Sequence, residues 1–197
     1  MHKSNAMTYY HEGNTREPAK GKILISEPFL PDPNFTRTVV LICEHNEEGT
    51  FGLVLNKPSL LHLKDVMENI SRKDHLLYIG GPVQQDTLHY IHRRGDIDGA
   101  IAIAPGIFWG GNFEKMLLLL ESGQADPKDF QFFLGYSGWG KTQLLDELAQ
   151  NSWIVSDIVT PRQIFETAAD SLWKQVLSEM GGKFKMFSNY PLDPRSN

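Results

Sequence analysis

Val39-Val40-Leu41-Ile42 is an unbroken apolar run, three of its four residues β-branched, with no polar residue alternating through it. Successive side chains of a strand point to opposite faces, so a strand with one wet face alternates, whereas a run apolar at every position needs cover on both sides. Arg37 to Glu44 therefore reads as a central strand. A second apolar run, Phe51 to Asn56, follows the polar turn His45-Asn-Glu-Glu-Gly49, and the two together predict an antiparallel hairpin. The remaining chain has to supply neighbours for this hairpin and a layer above and below it.

Neighbouring strands are predicted at Lys22 to Ser26, stopped by Glu27-Pro28, and at Leu76 to Ile79, which runs into Gly80-Gly-Pro82. Thr87 to Ile91 and Ala100 to Ala104 add two more on either side of a polar loop, and Phe130 to Leu134 and Ser152 to Val155 complete the set. Helical spacing appears in Leu60 to Ile70 and in Phe113 to Glu121, where Asn112 caps, Gly123 terminates and the leucine run implies a helix apolar on most sides. It recurs in Gln143 to Gln150, with Leu144, Leu145 and Leu148 inward, and in a helix opened by Thr167-Ala-Ala-Asp170 and closed by Gly181-Gly182. Lys57-Pro58 is read as a break between strand and helix. Strands pair early and alternate with helices later, which gives an α+β class: a mixed sheet covered by helices in one compact domain, residues 21–182. The polar, aperiodic residues 1–20 read as a disordered tail and residues 183–197 as a loosely held one.

With a net charge of -5 and a pI near 5.8, the chain has no broad basic footprint, and nucleic acid is not an expected partner. Cys43 is the only cysteine and lies inside the apolar run, so neither a disulfide nor a thiolate metal cluster is expected, and a reducing compartment fits. The apolar runs fall short of the ~20 residues of a membrane helix. The expectation is a cytoplasmic protein without a membrane span, metal or cofactor. His89 and His92, three apart in a strand, point to opposite faces and cannot share a metal. His45 sits in a polar turn beside Glu44 and Glu47, where turn chemistry accounts for it.

The densest chemistry lies in Leu134-Gly-Tyr-Ser-Gly-Trp-Gly-Lys-Thr142. Gly135, Gly140, Lys141 and Thr142 match the phosphate-loop pattern G-x-x-x-x-G-K-[ST], between a predicted strand and a predicted helix. Gly140, Lys141 and Thr142 would then bind phosphate, the lysine reaching the terminal groups and the hydroxyl a magnesium ion. Three features oppose this. Only 55 residues follow Thr142, too few for the further strand and helix units of such a fold; Tyr136 and Trp139 are bulky for a loop that wraps an anion; and the following acid, Asp157, ends a short run. A nucleophile elbow fails because position 139 is tryptophan where G-x-S-x-G needs glycine.

The same stretch resembles the signature of the AlgH/YqgE family. The likeness extends through Phe35-Thr-Arg-Thr38, Val39-Val-Leu-Ile-Cys-Glu-His45, Gly49 with Phe51-Gly52, Asn56-Lys-Pro58, Gly80-Gly-Pro-Val83, Gly135-Tyr-Ser-Gly-Trp-Gly140, Gln143-Leu144 with Glu147, and Asn151-Ser-Trp153. The resemblance implies a single α/β domain with a strongly curved, partly barrel-like sheet. It also implies that Lys141-Thr142 stands where the family has small residues. The chain departs from the family pattern in lacking a Gly-x-Ala stretch within Phe184 to Asn197. The family is often labelled a transcriptional regulator, but no helix-turn-helix with a basic recognition helix is visible. Arg37, Thr38, His45, Asn56, Tyr136 and Trp139 are the polar or amphipathic side chains at motif positions, and would suit a shared ligand-binding cleft. In the competing structural reading, Arg37 and Asn56 satisfy backbone groups at strand ends and Trp139 plugs the core. Two functions follow: a non-catalytic regulatory or interaction domain that binds an unknown protein or small-molecule partner near residues 135–142, or a phosphate- or nucleotide-handling enzyme using Lys141 and Thr142.

Overall fold

The computed structural model describes residues 16–67, 75–157 and 160–191. Its strands are β1 (Ile23–Ser26), β2 (Val39–Asn46), β3 (Gly49–Val54), β4 (Pro58–His62), β5 (Leu76–Ile79), β6 (Val83–His92), β7 (Ile101–Ala104), β8 (Ile107–Trp109), β9 (Phe130–Gly140) and β10 (Trp153–Ser156). The helices are α1 (Leu63–Val66), α2 (Phe113–Glu121), α3 (Gln143–Ala149), α4 (Pro161–Glu166), α5 (Ala169–Met180) and α6 (Gly182–Phe187). They form one α+β unit around a ten-stranded sheet in the order β10-β1-β2-β3-β9-β6-β8-β7, with β5 parallel to β9 and β4 on the outer side of β5. The sheet is strongly curled but does not close. No helix among the described residues is long and apolar enough to cross a membrane.

The apolar run Val39 to Ile42 is buried on both faces, as its pattern demands. Val39, Leu41 and Cys43 enter a core under α4, α5 and α6 with Leu53, Phe133 and Trp173. Val40 and Ile42 enter a second core under α3 with Leu24, Trp139, Leu144 and Trp153. Burial pushes the Cys43 thiol up, so it stays protonated. A third core packs α2 on β5, β6 and the first half of β9.

Several elements differ from the sequence expectation. Leu60, expected on a helix, is in β4 and 97% exposed; Pro58 opens that strand, where its missing N–H costs no ladder bond, and only Leu63 to Val66 is helical. Residues 68–70 of the expected helix lie outside the described residues. Helix α2 is not apolar all round, since Met116, Leu119 and Leu120 face in while Leu118 is 67% exposed. Leu145 of α3 likewise points outward. The capping box belongs to the unforeseen α4, where Thr160 and Gln163 cap reciprocally with Pro161 at the first turn; α5 starts without a side-chain cap.

The ends of the chain are better fixed than their composition suggested. Pro18 is buried, and Lys22 Nζ donates to Glu17 O at 2.8 Å. After Gly181, α6 buries Phe187, and the Arg37 guanidinium, 4.8 Å over the Trp173 ring, donates to Tyr190 O at 2.5 Å. Residues 1–15 and 192–197 of the two expected tails lie outside the described residues.

Candidate functional site

Strand β9 changes partners halfway. Its first half lies between β5 and β6, and its second half lies between β3 and the start of β6. At the change, Gly80 carbonyl accepts from Val54 N–H and from the buried Ser137 hydroxyl (3.0 Å). Gly135 adopts φ +64 there, and a Cβ on it would lie 2.7 Å from Val83 O, so only glycine lets β9 pass this junction. The stretch expected as a loop after Leu134 is thus extended strand as far as Gly140. Gly52 pairs with Ser137, Phe51 with Gly138, Thr50 with Trp139 and Gly49 with Gly140. The amides of residues 135–140 alternate outward into ladders, unlike the successive convergent N–H groups of a phosphate loop, and Gly140 N–H donates to Gln143 Oε1 at 3.1 Å. Lys141 and Thr142 are exposed, and Thr142 opens α3 without a side-chain cap.

The candidate residues do not converge. Trp139 is 4% exposed on the α3 side, stacked on Phe35 and edge-on to Trp153. Its indole N–H donates to Glu147 Oε2 at 2.9 Å, and Trp153 donates to the same oxygen at 2.7 Å. Gln143 Nε2 holds Glu147 Oε1 at 3.0 Å, so Gln143 and Glu147 serve the Trp139 end of β9. Arg37, Thr38 and Asn56 cluster at the opposite end of the hairpin. Asn56 accepts from Val39 N–H and donates to Arg37 O, both at 2.9 Å, while Thr38 is fully buried, with its N–H on Ser26 Oγ and its hydroxyl on Phe35 O. These three brace backbone. His45 is exposed, with Nδ1 2.7 Å from Thr50 Oγ1. Of the six, Tyr136 alone lays its ring in an open cleft.

That cleft, of about 470 Å³, lies on the face opposite the Trp139 ring. Glu44, Phe51 and Gly138 stand directly across from one another on β2, β3 and β9, so they share a face; the missing side chain at Gly138 leaves a trough. Tyr136 flanks it, 4.7 Å from Phe51 between ring centroids. Phe51 in turn meets Trp109 at 4.8 Å and His89 at 5.3 Å, so four half-buried rings from β3, β6, β8 and β9 tile the sheet. Burial lowers the His89 pKa, which keeps the ring neutral at pH 7. The rim is acidic: Glu44 and Glu48 border the trough, with Asn46 donating to Glu44 Oε1 at 2.7 Å. Glu44, Phe51, His89 and Trp109 were not among the sequence candidates, because the surface that unites them exists only once β2, β3, β9, β6 and β8 are in register.

A family model described as AlgH-like matches residues 23–185. The chain belongs to the AlgH-like family. A UPF0301 protein of Cytophaga hutchinsonii is 46% identical over 180 residues, covering 90% of this chain and 98% of that protein. A UPF0301 protein of Bacteroides thetaiotaomicron is 40% identical over 187 residues, covering 94% and 95%. Among solved structures, the AlgH protein of Pseudomonas aeruginosa superposes with a TM-score of 0.68 at 27% identity, covering 91% of this chain and 98% of that one. Protein DIP2367 of Corynebacterium diphtheriae gives 0.74 at 23% identity over 92% and 97%, a likeness of fold. The AlgH-like motifs can now be located: the Gly80-Gly81 and Gly135 pair builds the β5-β9-β3 junction, and Trp139, Glu147 and Trp153 lock α3 to the sheet.

Proposed function

We propose that this AlgH-like protein is a non-catalytic binding domain whose site is the aromatic trough at Phe51, Tyr136 and Gly138. Its partner is a protein segment that presents a basic side chain. The observation that carries the reading is an open cleft lined by the Phe51 and Tyr136 rings, backed by His89 and Trp109, and bordered by Glu44 and Glu48. Half-exposed aromatics supply large contact area at low entropy cost and dominate binding energy in protein interfaces. A guanidinium over such rings gains cation–π attraction, and the carboxylates at the rim favour it further. A regulatory role is then exercised through what occupies the trough. The phosphate reading has less support, since residues 135–139 run as extended strand with amides alternating into ladders and Gly140 N–H is taken by Gln143 Oε1.

The test is a titration read by tryptophan fluorescence and amide chemical shifts, with a hexa-arginine peptide on one arm and magnesium ATP on the other. Saturable binding of the peptide, lost in Phe51→Ala, which leaves the net charge unchanged, supports the trough. Peptide binding that survives Phe51→Ala is mere charge attraction and overturns it. Saturation by magnesium ATP that disappears in Lys141→Ala would favour phosphate handling instead.

A further inference from the structure

A cation without a counter-charge lies under the C-terminal segment. The Arg37 guanidinium is half-buried, 4.8 Å over the Trp173 ring of α5, and its one protein acceptor among the described residues is the main-chain carbonyl of Tyr190, 2.5 Å from Nη2. No carboxylate among those residues pairs with it, and burial lowers its pKa with nothing to offset the lost water. Glu27, on the same loop between β1 and β2, spends its carboxylate on Phe29 N–H at 2.9 Å. The backbone is held for this placement: Arg37 sits at φ +49, a region that a residue with a side chain seldom adopts, and its carbonyl is fixed by Asn56 at 2.9 Å.

Nε and Nη2 of a guanidinium present parallel N–H groups on one edge, the fork that takes both oxygens of a carboxylate. Here a carbonyl oxygen takes one prong, and Nε, on the same edge by covalent geometry, is shut from water without an acceptor. The segment that delivers this carbonyl is lightly fixed. Tyr190 follows α6 through a turn, with its N–H on Phe187 O at 3.1 Å and its half-buried ring stacked at 5.6 Å on Phe29, which is 37% exposed. The deep anchor is Phe187, 7% exposed and ahead of that turn, so residues 189–191 can lift without drawing it from the core. We propose that Phe29 and Arg37, backed by Trp173, form a binding site for a peptide chain end: an aromatic residue with a free α-carboxylate, whose ring lies on Phe29 and whose two oxygens take both prongs of Arg37. Tyr190 fills the site as a tethered stand-in that the ligand displaces. A chain ending at such a tyrosine keeps the carbonyl oxygen in place and sets its second oxygen where the Pro191 nitrogen is now bonded. The site lies at the opposite end of the β2-β3 hairpin from the aromatic trough and is independent of it.

N-acetyl-L-tyrosine and N-acetyl-L-tyrosinamide share the ring and differ in the carboxylate. In NMR titrations of the full chain at neutral pH, the acid should shift the Arg37 Nε–H and Trp173 indole resonances saturably and abolish the NOE between the Phe29 and Tyr190 rings. The amide should bind about tenfold more weakly or worse, the value of a hydrogen bond to a charged group. The net charge of -5 gives the chain no general attraction for an anion. Arg37→Lys keeps the charge and loses the fork, so it should erase most of the preference. Tyr190→Ala removes the stand-in ring and should tighten binding of the acid severalfold; it reads the same site if Arg37→Lys does not fold. No saturation by the acid, equal affinity for the two probes, a full preference in Arg37→Lys, or an affinity for the acid that is unchanged or weaker in Tyr190→Ala would overturn the proposal.

Discussion

The sharpest stability test lies at Glu147. One carboxylate oxygen accepts from two indoles, Trp139 at 2.9 Å and Trp153 at 2.7 Å, and the other accepts from Gln143 Nε2. In Glu147→Leu both indole N–H groups lose their acceptor. Trp153 is 1% and Trp139 4% exposed, so water has little access to either. Hydrogen bonds to a charged group are worth about 1.5–3 kcal/mol each, so two give roughly 3–6 kcal/mol. Glu147 itself is only half-buried and is solvated in part, which pulls the expectation to the lower end, about 3–4 kcal/mol. Set against a typical domain stability of about 5–15 kcal/mol, that is a large share. Equilibrium urea unfolding followed by tryptophan fluorescence and by circular dichroism, with the slope checked for constancy, measures it. Combining Glu147→Leu with Trp153→Phe, which removes one donor, should cost less than the sum of the single changes, because the double variant strands only one N–H. A Glu147→Leu protein within about 0.5 kcal/mol of the parent, or additive single and double variants, would mean the carboxylate is not what holds the two tryptophans.

Two further outcomes follow from local geometry. The buried His92 ring donates from Nε2 to Gly110 O at 2.8 Å and accepts at Nδ1 from Arg94 N–H at 3.2 Å; burial lowers its pKa, as it does for His89, so the folded state binds protons less well than the unfolded chain. Stability should then be complete above the ordinary histidine value of about 6.5 and fall as pH drops below it, a loss that unfolding midpoints at neutral and mildly acidic pH will read and that His92→Phe should reduce. Gly135→Ala should destabilise by about 3 kcal/mol or more through its positive φ and the 2.7 Å approach to Val83 O, whereas at Gly140, where a Cβ meets nothing within 4 Å, alanine should change thermal stability by less than about 1 kcal/mol.

Much of the fold was readable because burial writes itself into local pattern. The run at residues 39–42 required two covered faces and has them, and the strand ends before Pro28 and Gly80 followed from backbone chemistry alone. Strand β4 and helix α4 were not readable. The first has apolar residues at helical spacing that the edge of β5 recruits into pairing, and the second is too short to show a period, though Thr160-Pro161 with Gln163 was a start signal in plain view. The tail after Gly181 looked loose because its charge hides two anchors, Phe187 in the core and the Tyr190 carbonyl under Arg37.

The site was harder to read than the fold for a reason that β9 makes plain. Along Tyr136-Ser-Gly-Trp-Gly140 the strand alternates between two environments: Ser137 and Trp139 point to the α3 side, Tyr136 and Gly138 to the open face. A linear motif merges these into one signature, which is why a phosphate loop and a ligand cleft could both be read from it. Trp139 with Glu147 and Trp153 accounts for the anchoring half, in which the rings dock and the polar atoms are mutually bound. Tyr136 and Gly138 account for the other half, where a missing side chain exposes Phe51 and Tyr136 to whatever binds. Ser137 and Trp139 fix the height of the strand from one side, and only with that height fixed do Glu44, Phe51 and Gly138 fall into one row; the packed face of β9 is what sets the shape of the open one.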